Sequence, residues 1–150
     1  MGRKLLTGAV VVGVAWGAAG CGGDDPEPRA NFKQQANAIC ARFAKDSQTL
    51  ISETLRRARG ANNANAAIAD VRDEIVAQRR REIDSLRELT PPDGVADAYE
   101  QMTESMEAGL ELLPTAEEMR ANRDPKGERR QAQESRLRQA ARRAGLRNCT

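Results

Sequence analysis

The chain contains no histidine, only three cysteines, and only four aromatic side chains, Trp16, Phe32, Phe43 and Tyr99, in 150 residues. Without histidine it cannot build a His-dependent triad, a His-ligated zinc site or the Glu-x-x-His di-iron sites of helical bundles, and three cysteines cannot make a four-cysteine metal site. With so few rings there is no stacking platform for bases or sugars, so nucleic acid is not an expected partner. Strand-like alternation of polar and apolar residues is missing throughout, which leaves an all-α domain. Nor does any activated nucleophile or isolated carboxylate pair stand out, and neither an enzymatic role nor a cofactor is expected.

Long apolar runs are also scarce: there is one, and it is short. Arg3 and Lys4 precede an apolar stretch from Leu5 to Ala15, and small residues at Ala18, Ala19 and Gly20 lead into Cys21. That order is the pattern of an export signal over residues 1–20. The apolar stretch falls short of the ~20 residues that a membrane span needs. Small residues in register before a cysteine look like the lipobox of bacterial lipoproteins, in which the thiol takes a diacylglycerol and becomes the new amino terminus. Ala18 departs from the Leu or Val usual at its position. Cys21 is therefore expected to be lipidated, with the protein held at the extracytoplasmic face of the cell membrane. Two or more acyl chains make such anchoring effectively permanent, at ~0.8 kcal/mol per buried methylene. Residues 21–30 combine glycine, proline and acid and read as a flexible tether, with residues 31–150 as the folded domain.

Export also explains the odd cysteine count. If Cys21 carries lipid, Cys40 and Cys149 are left to pair in an oxidising compartment. A free or redox-active thiol is the alternative, but Cys40 sits in an apolar helical register and there is no Cys-x-x-Cys motif.

Periodicity predicts four main helices. The first spans residues 31–59, with Phe32, Ala36, Ile39, Cys40, Phe43, Leu50, Ile51 and Leu55 as its apolar positions and Gly60 as a stop. Asn62, Asn63 and Asn65 offer a turn and caps before a second helix marked by Ile68, Val71, Ile75, Ile83, Leu86 and Leu89. Thr90 and Asp93 fit a cap for a third, whose stripe is Val95, Tyr99, Met102, Met106, Leu110 and Leu113. Pro114 interrupts that helix, and Thr115 with Glu118 reads as a fresh capping box. Asp124 and Pro125 suggest the cap and first-turn proline of a last helix that ends at Gly145, where Leu146 folds back. Short turns between four helices imply an antiparallel bundle, which returns Cys149 to the end where the first helix began.

Phe32, Asn37-Ala38-Ile39-Cys40, the Pro91-Pro92 junction, Tyr99 and the closing Gly145-Leu146-Arg147-Asn148-Cys149 together resemble a group of small exported lipoproteins of high-GC actinobacteria. Most members of that group have no assigned activity. The resemblance implies a helical domain behind a lipid anchor, closed by a disulfide, and it implies no catalytic residue.

Charge is unevenly distributed along the otherwise balanced chain. Between Asp93 and Glu118 there are eight carboxylates and no basic residue, whereas between Arg120 and Arg147 ten basic side chains face three acidic ones. Asp97, Glu100, Glu104, Glu107 and Glu111 step by three and four along one helix face, and Arg129, Arg136 and Arg143 line up likewise. Consecutive antiparallel helices would lay these stripes together, each exposed pair adding only ~0 to 1 kcal/mol. Otherwise they form a surface for an envelope protein or an anionic polymer. A calcium site is not expected, because no tight acidic loop supplies converging oxygens. Arg79-Arg80-Arg81, with Glu82 and Asp84 nearby, reads as a solvated turn of helix. The expected function is a non-catalytic envelope binding module. The alternative is a small-ligand carrier, which requires a cavity of at least ~300 Å³ among Phe43, Met102, Met106 and Leu110.

Overall fold

The computed structural model describes residues 26–58 and 64–149. The expected export segment, Cys21 and the expected turn at Gly60, Asn62 and Asn63 lie outside the described residues. Those described form α1 (Pro26–Arg57), α2 (Ala64–Arg87), α3 (Ala96–Glu111), a short α4 (Ala116–Arg120) and α5 (Gly127–Ala144), with a 3-10 turn at Asp93–Val95 and no strand among them.

The first helix starts five residues earlier than the tether reading allows. Prolines 26 and 28 fall in its opening turn, where backbone N–H groups lack helical partners anyway, and Glu27 complements the positive end of the helix. Phe32, Ala36, Cys40 and Phe43 then form a buried stripe, but beyond Phe43 the apolar positions Leu50 and Ile51 are only half-buried and Leu55 is 39% exposed, with Thr54 the one buried residue of that half. Helix lengths give the reason. At 1.5 Å per residue the 32-residue α1 is about 48 Å long, whereas α3 and α5 have 16 and 18 residues. Over its distal half α1 has the company of α2 but not of the shorter pair.

Tyr99 ties three helices together. Its hydroxyl donates to the Leu86 carbonyl at 2.7 Å, and its ring meets Phe32 edge-on with centroids 4.9 Å apart. Around it Ile83, Leu86, Val95, Met102, Met106 and Leu110 complete the core. The expected Thr90 cap is not made: α3 has no side-chain cap bond, and Val95 N–H instead donates to the Pro92 carbonyl at 2.9 Å. The prolines at 91 and 92 stop α2, and the 3-10 turn re-aims the chain.

The break at Pro114 is present, but it starts a new element. Glu118 N–H donates to Thr115 Oγ1 at 3.1 Å and Thr115 N–H to Glu118 Oε2 at 2.7 Å, a complete capping box. The resulting α4 leans on α2, through Arg120 to Asp70 at 2.7 Å and Arg72 Nε to the Pro114 carbonyl at 2.7 Å. Asn122 ends it in the left-handed region, at φ 54°, a conformation that Asn tolerates better than most residues.

The last helix begins at Gly127, not behind an Asp124 cap. The Asp124 carboxylate accepts from both terminal guanidinium nitrogens of Arg130 and from the Lys126 backbone N–H, so it serves the turn at residues 125–126 that precedes the helix. Ala140, Ala141 and Ala144 form the buried face of α5, and these small side chains let it lie closely along α3. Arg143 reaches Gln101 while Gln133 reaches the Ser105 carbonyl, so positions fall along α5 as they rise along α3. Gly145 terminates the helix at φ 74°, with Leu146 N–H donating to the Ala141 carbonyl at 2.8 Å. That is the expected Schellman stop, and Leu146 is buried.

One glycine can be improved. A Cβ built at Gly109, inside α3, meets nothing within 4 Å. Gly109→Ala is expected to stabilise the protein by about 0.5–1 kcal/mol, read as a raised thermal midpoint.

Candidate interaction surface

The carboxyl-terminal tail is the first tertiary feature that local helix rules do not explain. After Gly145 it folds across α1, where Asn37 Oδ1 accepts from Arg147 N–H at 2.9 Å and from Asn148 N–H at 3.0 Å. Cys149 then bonds Cys40 across 109 residues, with both sulfurs buried. The pairing expected from the cysteine count is present, and Cys21 is left as the third cysteine.

The two charged stripes do not meet. Asp97, Glu100, Glu104, Glu107 and Glu111 are all exposed, as are Arg129, Arg136 and Arg143. Glu107 pairs with Arg87 of α2, and Arg143 donates to the neutral Gln101 at 2.7 Å. No ion pair joins one stripe to the other among the described residues. The residues of α3 that touch α5, Gln101 and Ser105, sit about a quarter to a third of a turn round the helix from the acidic row. The acidic row therefore flanks α2 and solvent, and the expectation of interlocked stripes is replaced by two separate charged surfaces.

Arg79 and Glu82 correct another expectation. Glu82 is not solvated: it is 2% exposed and paired with the half-exposed Arg79. Burial pushes its carboxyl above the ordinary value of 4.5, and Arg79 pulls it back only in part. The signal was present in the spacing, because Ile75, Arg79, Glu82 and Leu86 step by four, three and four along the apolar stripe. A folded-state value above the unfolded one means that this group's contribution to stability is fully present below the unfolded value. It is lost as pH rises through the folded value. Glu82→Gln removes that loss. The variant's stability advantage over the parent should therefore grow as pH is raised from about 4.5, and denaturant midpoints measured across that window check the sign.

The other groups are simpler. Among the described residues no cluster of three or more acidic or cysteine side chains could hold a metal ion, and no helix is long and apolar enough to cross a membrane. Of the four residues named for a ligand cavity, Met106 and Leu110 line a groove of about 180 Å³, with Ile75, Leu113 and Leu137, under Arg79 and Arg130. Phe43 and Met102 pack elsewhere in the core. No family model, curated protein or solved structure matches the chain.

Proposed function

We propose that the protein is a lipid-anchored, extracytoplasmic helical module, an antiparallel bundle that presents charged surfaces to another component of the envelope. The Cys40–Cys149 bond carries this reading. It uses up two of three cysteines, which leaves Cys21, in lipobox register behind a short apolar segment, as the residue to be acylated. The opposing directions of α3 and α5 support the antiparallel arrangement. Its role is to bind rather than to catalyse. The two exposed stripes, Asp97 to Glu111 and Arg129 to Arg143, are the surfaces offered to an envelope protein or an anionic polymer. The carrier alternative is less well supported, since the groove at Met106 and Leu110, about 180 Å³, is below the ~300 Å³ typical of small-molecule sites.

Intact mass of the protein isolated from membrane fractions, alkylated with and without prior reduction, tests the reading. Acyl mass on Cys21 and two thiols released only by reductant are expected. An unacylated chain recovered from the soluble fraction would overturn it.

A further inference from the structure

At the carboxyl-terminal end of α5 the surface opens into a depression of about 500 Å³, lined by Lys33, Arg138, Arg142, Gly145, Leu146 and Arg147. Four of these six residues are cations and none is acidic. Glu134, 3.9 Å from Arg138, is the one carboxylate within ion-pair distance of any of the four among the described residues. The negative end of the α5 dipole would oppose an anion here, but Lys33 is placed against it. A Cβ built on Gly145 would come within 2.7 Å of Lys33 Nζ, so the ammonium lies directly over the helix stop.

We infer that this depression is a contact site for the phosphate of anionic phospholipid headgroups in the membrane to which the chain is anchored. The inference rests on the lipid-anchor reading and adds to it a specific surface and ligand. Position favours a lipid over a soluble anion. The helix carrying Lys33 begins at Pro26, five residues after Cys21, and a chain of that length reaches at most about 18 Å. Lys33 lies roughly 10 Å further along α1 at the helical rise. The end of the fold that holds the depression, which also carries Glu27 outside its lining, is thus the end nearest the anchor, and tethering keeps the local headgroup concentration high enough for a weak contact to be populated. Chemistry agrees, because three of the four cations are arginines, whose planar forks match phosphate oxygens. The acidic row on α3 is on a different part of the surface and does not line the depression.

The full chain, reconstituted in nanodiscs of phosphatidylcholine with stepwise added phosphatidylglycerol, provides the test, followed through the backbone amide resonances of residues 145–148. Saturable shifts with phosphatidylglycerol, reversed by high salt, are expected. Each surface cation is worth about fivefold in binding to an anionic leaflet, so the double variant Arg142→Gln with Arg147→Gln should weaken the association about thirtyfold. Arg80→Gln with Arg81→Gln removes the same charge from α2 and should change it less than about twofold. Equal weakening by the two pairs, or no shift with phosphatidylglycerol, would overturn the inference. So would equal shifts from inorganic phosphate added to phosphatidylcholine discs, which would mark a soluble-anion site. Failure of the anchor is read separately, from the mass of Cys21. An unacylated chain can still be titrated with the same discs.

Discussion

Replacing Cys40 or Cys149 by serine should lower stability by about 2–5 kcal/mol. The bridge closes 109 residues, nearly the whole described fold, and chain-entropy reasoning gives ~4.7 kcal/mol as an upper guide for so long a loop. Burial adds to the cost, since Cys40 is 1% and Cys149 4% exposed, and a serine hydroxyl in either place must find a partner or remain unsatisfied. The loss should still fall short of complete unfolding. Leu146 stays buried, and Asn37 still accepts from Arg147 and Asn148 N–H groups, so the tail keeps two of its three attachments. Denaturant titration of the oxidised and reduced chains measures the difference directly. Equal midpoints would sink the idea. Asn37→Ala should cost more in the reduced protein than in the oxidised one, because the covalent link otherwise holds the tail in place.

Leu86→Ala is expected to cost about 2–5 kcal/mol, as large-to-small changes in closed cores do. The side chain is fully buried, and it lies where α1, α2 and α3 converge on Tyr99. The same residue's carbonyl accepts from the Tyr99 hydroxyl at 2.7 Å. Burial pushes that phenol well above the ordinary tyrosine range, so it remains a donor throughout the usable pH range. Tyr99→Phe, which leaves the carbonyl without that donor, should cost about 1–3 kcal/mol. Leu55→Ala provides the contrast. Leu55 is 39% exposed on the distal half of α1, and its loss should change stability by roughly 0.5 kcal/mol or less. Urea midpoints of the three variants would show whether the energetic core lies at the Tyr99 end, and similar losses at positions 86 and 55 would refute that.

Much of this architecture could be read from residue spacing. The apolar stripe of α3 and the first half of that of α1, the proline breaks at 91, 92 and 114, the Thr115–Glu118 box and the Gly145 stop all depend on neighbours within four residues, and each is present in the structure. The cysteine partners followed from the count together with helix parity. Caps were less legible where a competing group was within reach. Asp124 suits a helix start, but its carboxylate is shared between Arg130 and the Lys126 N–H of the turn just before the helix, and Thr90 is passed over because the prolines and the 3-10 turn set the entry to α3. Glu82 is a subtler case, a carboxylate on an apolar stripe that the adjacent Arg79 makes tolerable.

By itself the sequence determined which residues share a helix face and where α3 and α5 stop, because the 3.6-residue repeat and turn chemistry are local properties of the chain, while the sulfur pairing followed from the number of cysteines. Only the tertiary structure decided which neighbour covers each face. Helix α5 settles with Arg143 beside Gln101 and Gln133 beside Ser105, which turns the acidic row of α3 away from the arginines of α5. The tail's return across Asn37 gathers Lys33, Arg138, Arg142 and Arg147 around one depression. Those outcomes depend on helix lengths and on contacts between residues as many as 113 positions apart, and no local periodicity encodes them.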